Sequence, residues 1–109
     1  MGVTVGLFLP PDRLTLTRLA PAFEGCGHFE VVPETLWSPA GGFNTYFEVA
    51  RGLRDRLGVP IVAHGVGLCT TTSHPDDDER QRRWIDRLAD THRALAFGWM
   101  TEHSGATAL

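Results

Sequence analysis

Pro60-Ile61-Val62-Ala63-His64-Gly65-Val66-Gly67-Leu68 is a short apolar run that stops at a histidine and continues into a turn carrying two glycines. A strand buried on both faces of a parallel sheet reads as nearly continuous apolar sequence, and α/β proteins gather their chemistry at the carboxyl ends of such strands. The stretch therefore predicts a buried parallel strand with His64 at its functional end. Two other strand-like runs close on ligand-type residues, one on Glu34 and one on Glu102-His103.

Near the N-terminus, Val3 to Leu9 reads as a first buried strand, stopped by Pro10-Pro11, which cannot donate to a sheet ladder. Leu16, Leu19, Ala20 and Phe23 then form the apolar stripe of a short amphipathic helix, with Asp12 or Thr15 as its cap. His28 to Glu34 reads as a second strand. Alternation along it puts Phe29 and Val31 on one face and Glu30, Val32 and Glu34 on the other, and that second face must be polar because unpaired buried charge is costly. The loop Trp37 to Gly42 has the glycine content of a substrate-facing connection.

Phe43, Tyr46, Phe47, Ala50, Leu53 and Leu57 make the stripe of a second helix closed by Gly58. Beyond His64 a polar loop leads into Asp76-Asp77-Asp78-Glu79, acids suited to a helix N-terminus and lacking the alternating ligands and glycine of a calcium loop. Trp84, Ile85, Leu88 and Leu95 form the apolar face of a third helix. Phe97 to His103 reads as the last strand, and residues 104–109 as a tail.

The order βαβαβαβ predicts a parallel α/β protein. The 109 residues suffice for one domain. Four strands cannot close a barrel that takes about 250 residues, so residues 1–109 are expected to form a single partial (β/α) barrel, the N-terminal half of a TIM-barrel-like fold. Net charge is −3, with no basic footprint for nucleic acid. No run reaches the roughly 18 apolar residues of a membrane span, and the first residues lack the layout of a signal peptide. A cytoplasmic protein without nucleic-acid or membrane partners is the expectation, with Cys26 and Cys69 as buried free thiols.

Parallel strands present all their carboxyl ends on one rim. Glu34, His64, Glu102 and His103 are therefore expected to meet, and carboxylates with imidazoles suit a divalent metal such as iron, manganese or zinc. Bound there, it would activate oxygen or water, or polarise a carbonyl. His28, His74 and His92 read as loop or helix-surface residues.

Four segments carry a family resemblance: Phe29 to Trp37, the block His64-Gly65-Val66-Gly67-Leu68, Ile85 to Leu88, and Thr101-Glu102-His103-Ser104. In order and spacing they resemble the multinuclear non-haem iron family typified by the iron subunit of methanobactin oxazolone synthase, also called domain of unknown function 692. That family shows Phe-Glu-Val followed by Glu-Asn, then His-Gly-Val-Gly-Leu-Ser, then Ser-Glu-His-Leu. Here Thr35 stands where Asn is usual and Cys69 where Ser is usual, and Asp12-Arg13 replaces a His-Tyr pair after the first strand.

The resemblance covers the N-terminal part of the family's domain. It implies a TIM-barrel fold of the xylose-isomerase-like kind, an iron centre at the strand ends, roles near the metal for Glu34, His64, Glu102 and His103, and oxidative modification of cysteine in ribosomally made peptides with a dedicated partner protein. The expectation is thus a part or truncated form of such an enzyme. Alternatives are an inactive half-barrel fragment that binds a peptide or protein, and a metal-dependent isomerase or hydrolase on the same barrel type. The open edges of a half barrel further predict either self-association, two halves completing an eight-stranded barrel, or a missing C-terminal half.

Overall fold

A computed structural model of the protein describes residues 5–68 and 77–102. Cys69, His74 and His103, the start of the first predicted strand, and the tail lie outside those residues. Strand β1 (Gly6–Phe8), helix α1 (Arg13–Phe23), β2 (His28–Val31), α2 (Thr45–Leu57), β3 (Ile61–Gly65), α3 (Asp78–Leu95) and β4 (Trp99–Glu102) follow one another, with a 3-10 turn at Pro33–Leu36. The four strands form one parallel sheet in the order β1-β2-β3-β4. This is the α/β alternation expected, with each crossover carrying a helix.

The side chains show which face the helices cover. Phe29, Val31, Ile61 and Ala63 are buried, and they share one core with Phe23 of α1, Phe47 and Ala50 of α2, and Leu95 of α3. Those strand residues have one parity, so all three helices pack on the same side of the sheet. Right-handed crossovers between successive neighbouring strands lead to that arrangement. The opposite parity carries Gly6, Phe8, His28, Glu30, Val62, His64, Trp99 and Thr101, a face that no described helix covers.

Each helix begins and ends for local reasons. The Asp12 carboxylate accepts the amides of Leu14 and Thr15 at the start of α1, and its hydrogen bonds to Thr15 hold its pKa below the usual carboxylate value. The stripe expected on α1 is realised only in part. Phe23 is buried and Leu16 half-buried, whereas Leu19 and Ala20 are exposed, because α1 sits over an edge strand with core on one flank only. Helix α2 starts two residues later than expected, since the Asn44 side chain caps it by accepting the Tyr46 amide at 2.9 Å. Phe43 remains outside the helix and stacks on Phe47.

At their C-termini α2 and α3 differ in an instructive way. Both end on a left-handed residue, Gly58 at φ 66° and Ala96 at φ 53°. Only glycine adopts that conformation without a Cβ penalty. Gly58→Ala is therefore expected to lower stability by about 1 kcal/mol, and Ala96→Gly to raise it by a similar amount. Urea unfolding of the two variants should show midpoints moving in opposite directions.

Two expectations need correction, one on a strand and one on a helix. The second strand ends at Val31 rather than Glu34, because Pro33 has no amide to donate and starts the 3-10 turn. Glu34 consequently does not share a strand face with Glu30. Ile85 is half exposed and outside the core, so the packed face of α3 is Trp84, Leu88, Thr91 and Leu95. The acidic start of α3 holds, with Asp78 and Glu79 in its first turn. Cys26 is a buried free thiol, as expected. No described helix is long and apolar enough to cross a membrane.

Candidate functional site at the turn after β3

The turn Gly65 to Leu68 is held by side chains from three other segments. Glu34, projected by the 3-10 turn after β2, brings Oε1 within 3.0 Å of the Val66 amide and 2.7 Å of the Gly67 amide. The same oxygen accepts the Trp84 indole N–H from α3 at 2.8 Å. Glu102, at the end of β4, accepts the Leu68 amide through Oε1 at 3.2 Å. The Arg80 guanidinium donates to the carbonyls of Gly67 and Leu68, the latter at 2.8 Å, and is itself held by buried Asp77 at 2.5 Å. Donors and acceptors of this turn are thus matched almost atom by atom.

The glycines of the turn are there for space. A Cβ on Gly65 would lie 2.0 Å from Glu102 Oε2 and 3.0 Å from the Trp84 ring; one on Gly67 would lie 3.0 Å from Glu34 Oε1. Glu34, Glu102 and Trp84 therefore converge on one short segment of main chain, although they are far apart in sequence. The second carboxylate oxygen of Glu34 is buried and accepts no hydrogen bond among the described residues.

His64 takes a different direction. Its neighbour Gly65 faces Trp84 and Glu102, and alternation along β3 turns the imidazole to the uncovered face. There Nδ1 lies 2.7 Å from the Thr101 hydroxyl on β4, its register partner. Such a second hydrogen bond fixes the orientation of a ring. His64 and Glu102 stand at the carboxyl ends of β3 and β4, and Glu34 in the 3-10 turn that follows β2. The structure brings the two carboxylates to one turn and sets the imidazole on the other face of β3. Among the described residues no group of three His, Cys, Asp or Glu side chains is placed to hold a metal ion.

Beside the turn runs a tryptophan chain. Trp37 meets Trp84 edge-on with ring centroids 5.8 Å apart, donates its indole N–H to Thr91, and lies under the Arg87 guanidinium at 4.8 Å. Arg87 also donates to the carbonyls of Ser38 and Gly42. The loop read as substrate-facing, with Trp37, Arg87 and Asp90, walls a cleft of about 340 Å³.

No family model matches this chain, and no characterised protein or solved structure matches it either. The site is accordingly argued from its own chemistry. Sequence reasoning placed Glu34, His64 and Glu102 at strand ends but missed Trp84, Arg80, Asp77 and Thr101 as their partners. Trp84 carried a usable signal, since a buried indole needs an acceptor for its N–H. Thr101 carried none, because its contact with His64 depends on strand register. His28 opens β2, where the second strand is expected to begin, and faces the uncovered side rather than a loop or helix surface. His92 is on the helix surface as expected, and its Nδ1 accepts the Phe97 amide.

Proposed function

We propose that the chain is the N-terminal half of a metal-dependent (β/α) barrel enzyme, part or a truncated form of a non-haem iron oxidoreductase acting on cysteine in ribosomally made peptides. One observation carries the reading: half-buried Glu34 lies at the turn after β2 with one carboxylate oxygen fully engaged and the other, itself buried, without a hydrogen-bond partner among the described residues. A buried carboxylate oxygen in that condition suits a cation, and carboxylates with imidazole suit iron, manganese or zinc. The His-Gly-Val-Gly-Leu block and the one-sided helix layer support the same reading.

The resemblance gives Glu34, His64, Glu102 and His103 roles near the metal; as the chain folds, Glu34 and Glu102 share the turn after β3 and the His64 ring lies on the other face of that strand. Bound iron would supply the oxidising chemistry. The chain's own residues do the rest. Glu34 and Glu102 set the turn after β3, Thr101 orients the His64 ring, and Trp84 closes the turn against water from the side of α3. The cleft walled by Trp37 and Arg87 lies next to this arrangement and suits an extended peptide with an apolar or aromatic side chain. A partner protein would supply peptide delivery, in keeping with the resemblance.

A second reading is a non-catalytic half barrel that binds a peptide or protein. The use of both carboxylates to fix main-chain amides favours it, because that role needs no metal. Anaerobic iron loading followed by elemental analysis separates the two. The metal reading expects retained iron in the wild type and a loss of about tenfold or more in affinity for His64→Ala. Absent iron, or iron undiminished by that substitution, would leave only the binding reading.

A further inference from the structure

We propose that two copies of this chain close into one eight-stranded barrel, β4 of each copy pairing with β1 of the other, so that the uncovered faces of the two sheets become a shared lumen. The proposal rests on the half-barrel reading above and names what completes it.

The uncovered face already contains half of a barrel layer. The rings of His28 on β2 and Trp99 on β4 lie with centroids 5.2 Å apart, although β3 separates their strands. In a flat sheet next-nearest strands are about 9.5 Å apart, so the two side chains lean together over β3. Val62 beneath that face is only 3% exposed. A barrel fills its lumen in layers of four side chains contributed by alternate strands. His28 and Trp99 come from alternate strands and supply two of the four; the same pair from a second copy supplies the others. Gly6 fits this arrangement, because a Cβ there would lie 2.0 Å from His28 Nε2, so β1 leaves the space to the imidazole.

Among the described residues no strand pairs with the outer edge of β1 or of β4, and both edges are apolar. Leu9 donates its amide to the Glu30 carbonyl at 2.8 Å, and Gly98 donates to the Ile61 carbonyl at 2.8 Å. By alternation the Phe8 amide faces away from β2, and with Trp99 and Thr101 in register with Val62 and His64 it is the Met100 amide that faces away from β3. Val5 and Phe8 at one edge, and Trp99, Met100 and neighbouring Ile85 at the other, are large apolar residues left exposed. With an aromatic side chain offering 150–250 Å², half-exposed Phe8 and Trp99 present roughly 200 Å² in each copy, and the other three add about as much. Together with the strand edges and the lumen face, that approaches the ~800 Å² per partner of a stable interface.

Two copies related by a two-fold axis along the barrel make two equivalent β4·β1 seams and leave no strand edge free. The lumen then receives Glu30 and His64 from each copy, and the arrangement is incomplete in one chain alone.

Light scattering on the purified chain at micromolar concentration tests this. The expected mass is twice the 12.0 kDa of one chain. Phe8→Pro removes an outward amide and a half-exposed ring at an edge where proline is tolerated, and is expected to give a monomer with unchanged circular dichroism. Trp99→Ser is expected to weaken the dimer about tenfold or more. A monomeric wild type, open-ended larger species, or a dimer indifferent to both substitutions would overturn the proposal. Iron content measured on the same samples is a separate readout: an iron-free dimer would sink the metal reading alone, and an iron-binding monomer would sink the dimer alone.

Discussion

Glu34→Ala is expected to destabilise the protein by about 3 kcal/mol, a large fraction of the 5–15 kcal/mol that holds a domain of this size together. The carboxylate oxygen removed by the substitution accepts three N–H groups, those of Val66, Gly67 and Trp84. Val66 is exposed and its amide can turn to water, but the Trp84 indole is buried and the Gly67 amide is partly so. Each donor stranded in the interior costs roughly 1–3 kcal/mol. Glu34→Gln keeps an oxygen where two or more of those donors point, so its cost should be about 1 kcal/mol. Urea unfolding of the two variants measures the difference. The Gln variant also separates stability from metal binding: it preserves the turn while removing the negative charge, so a metal site at Glu34 predicts loss of iron from a protein that remains folded. Equal destabilisation by Ala and Gln would show that the turn does not depend on this acceptor.

The carboxylates also show how far the sequence could be read. Their position at the carboxyl ends of parallel strands follows from periodicity, because apolar runs separated by helical stripes leave few places for a Glu or His to lie. Their partners do not follow. Whether Glu34 turns to a metal, to solvent or to main-chain amides is decided by the rotation of the 3-10 turn that Pro33 starts, and alternation extended past the proline pointed Glu34 to the wrong face. The caps at Asp12 and Gly58 were legible since they are local chemistry. Thr101 beside His64, and Arg80 beneath the turn, arise from tertiary register across long sequence separations, for which a single sequence carries no signal.

Phe29→Ala is expected to cost about 3–5 kcal/mol, the range for deleting a buried aromatic side chain from a core that relaxes only in part. Phe29 is fully buried in the middle of the helix-covered face, with Leu7 and Ile61 as register partners and the Phe23 ring edge-on at 6.1 Å. Trp99→Ser removes a side chain of greater size from the opposite face, where Trp99 is 51% exposed, and in a single chain should cost only about 1 kcal/mol. The contrast tests the assignment of faces, since a sheet covered on both sides would make the two substitutions comparably severe. It also couples to the proposed barrel. If a second copy covers Trp99, the cost of Trp99→Ser grows with protein concentration, because dimer stability adds to folding stability by mass action, whereas the cost of Phe29→Ala within one core does not. Unfolding midpoints of both variants across a hundredfold dilution, about 2.7 kcal/mol of mass action, would separate a lumen residue from a core residue.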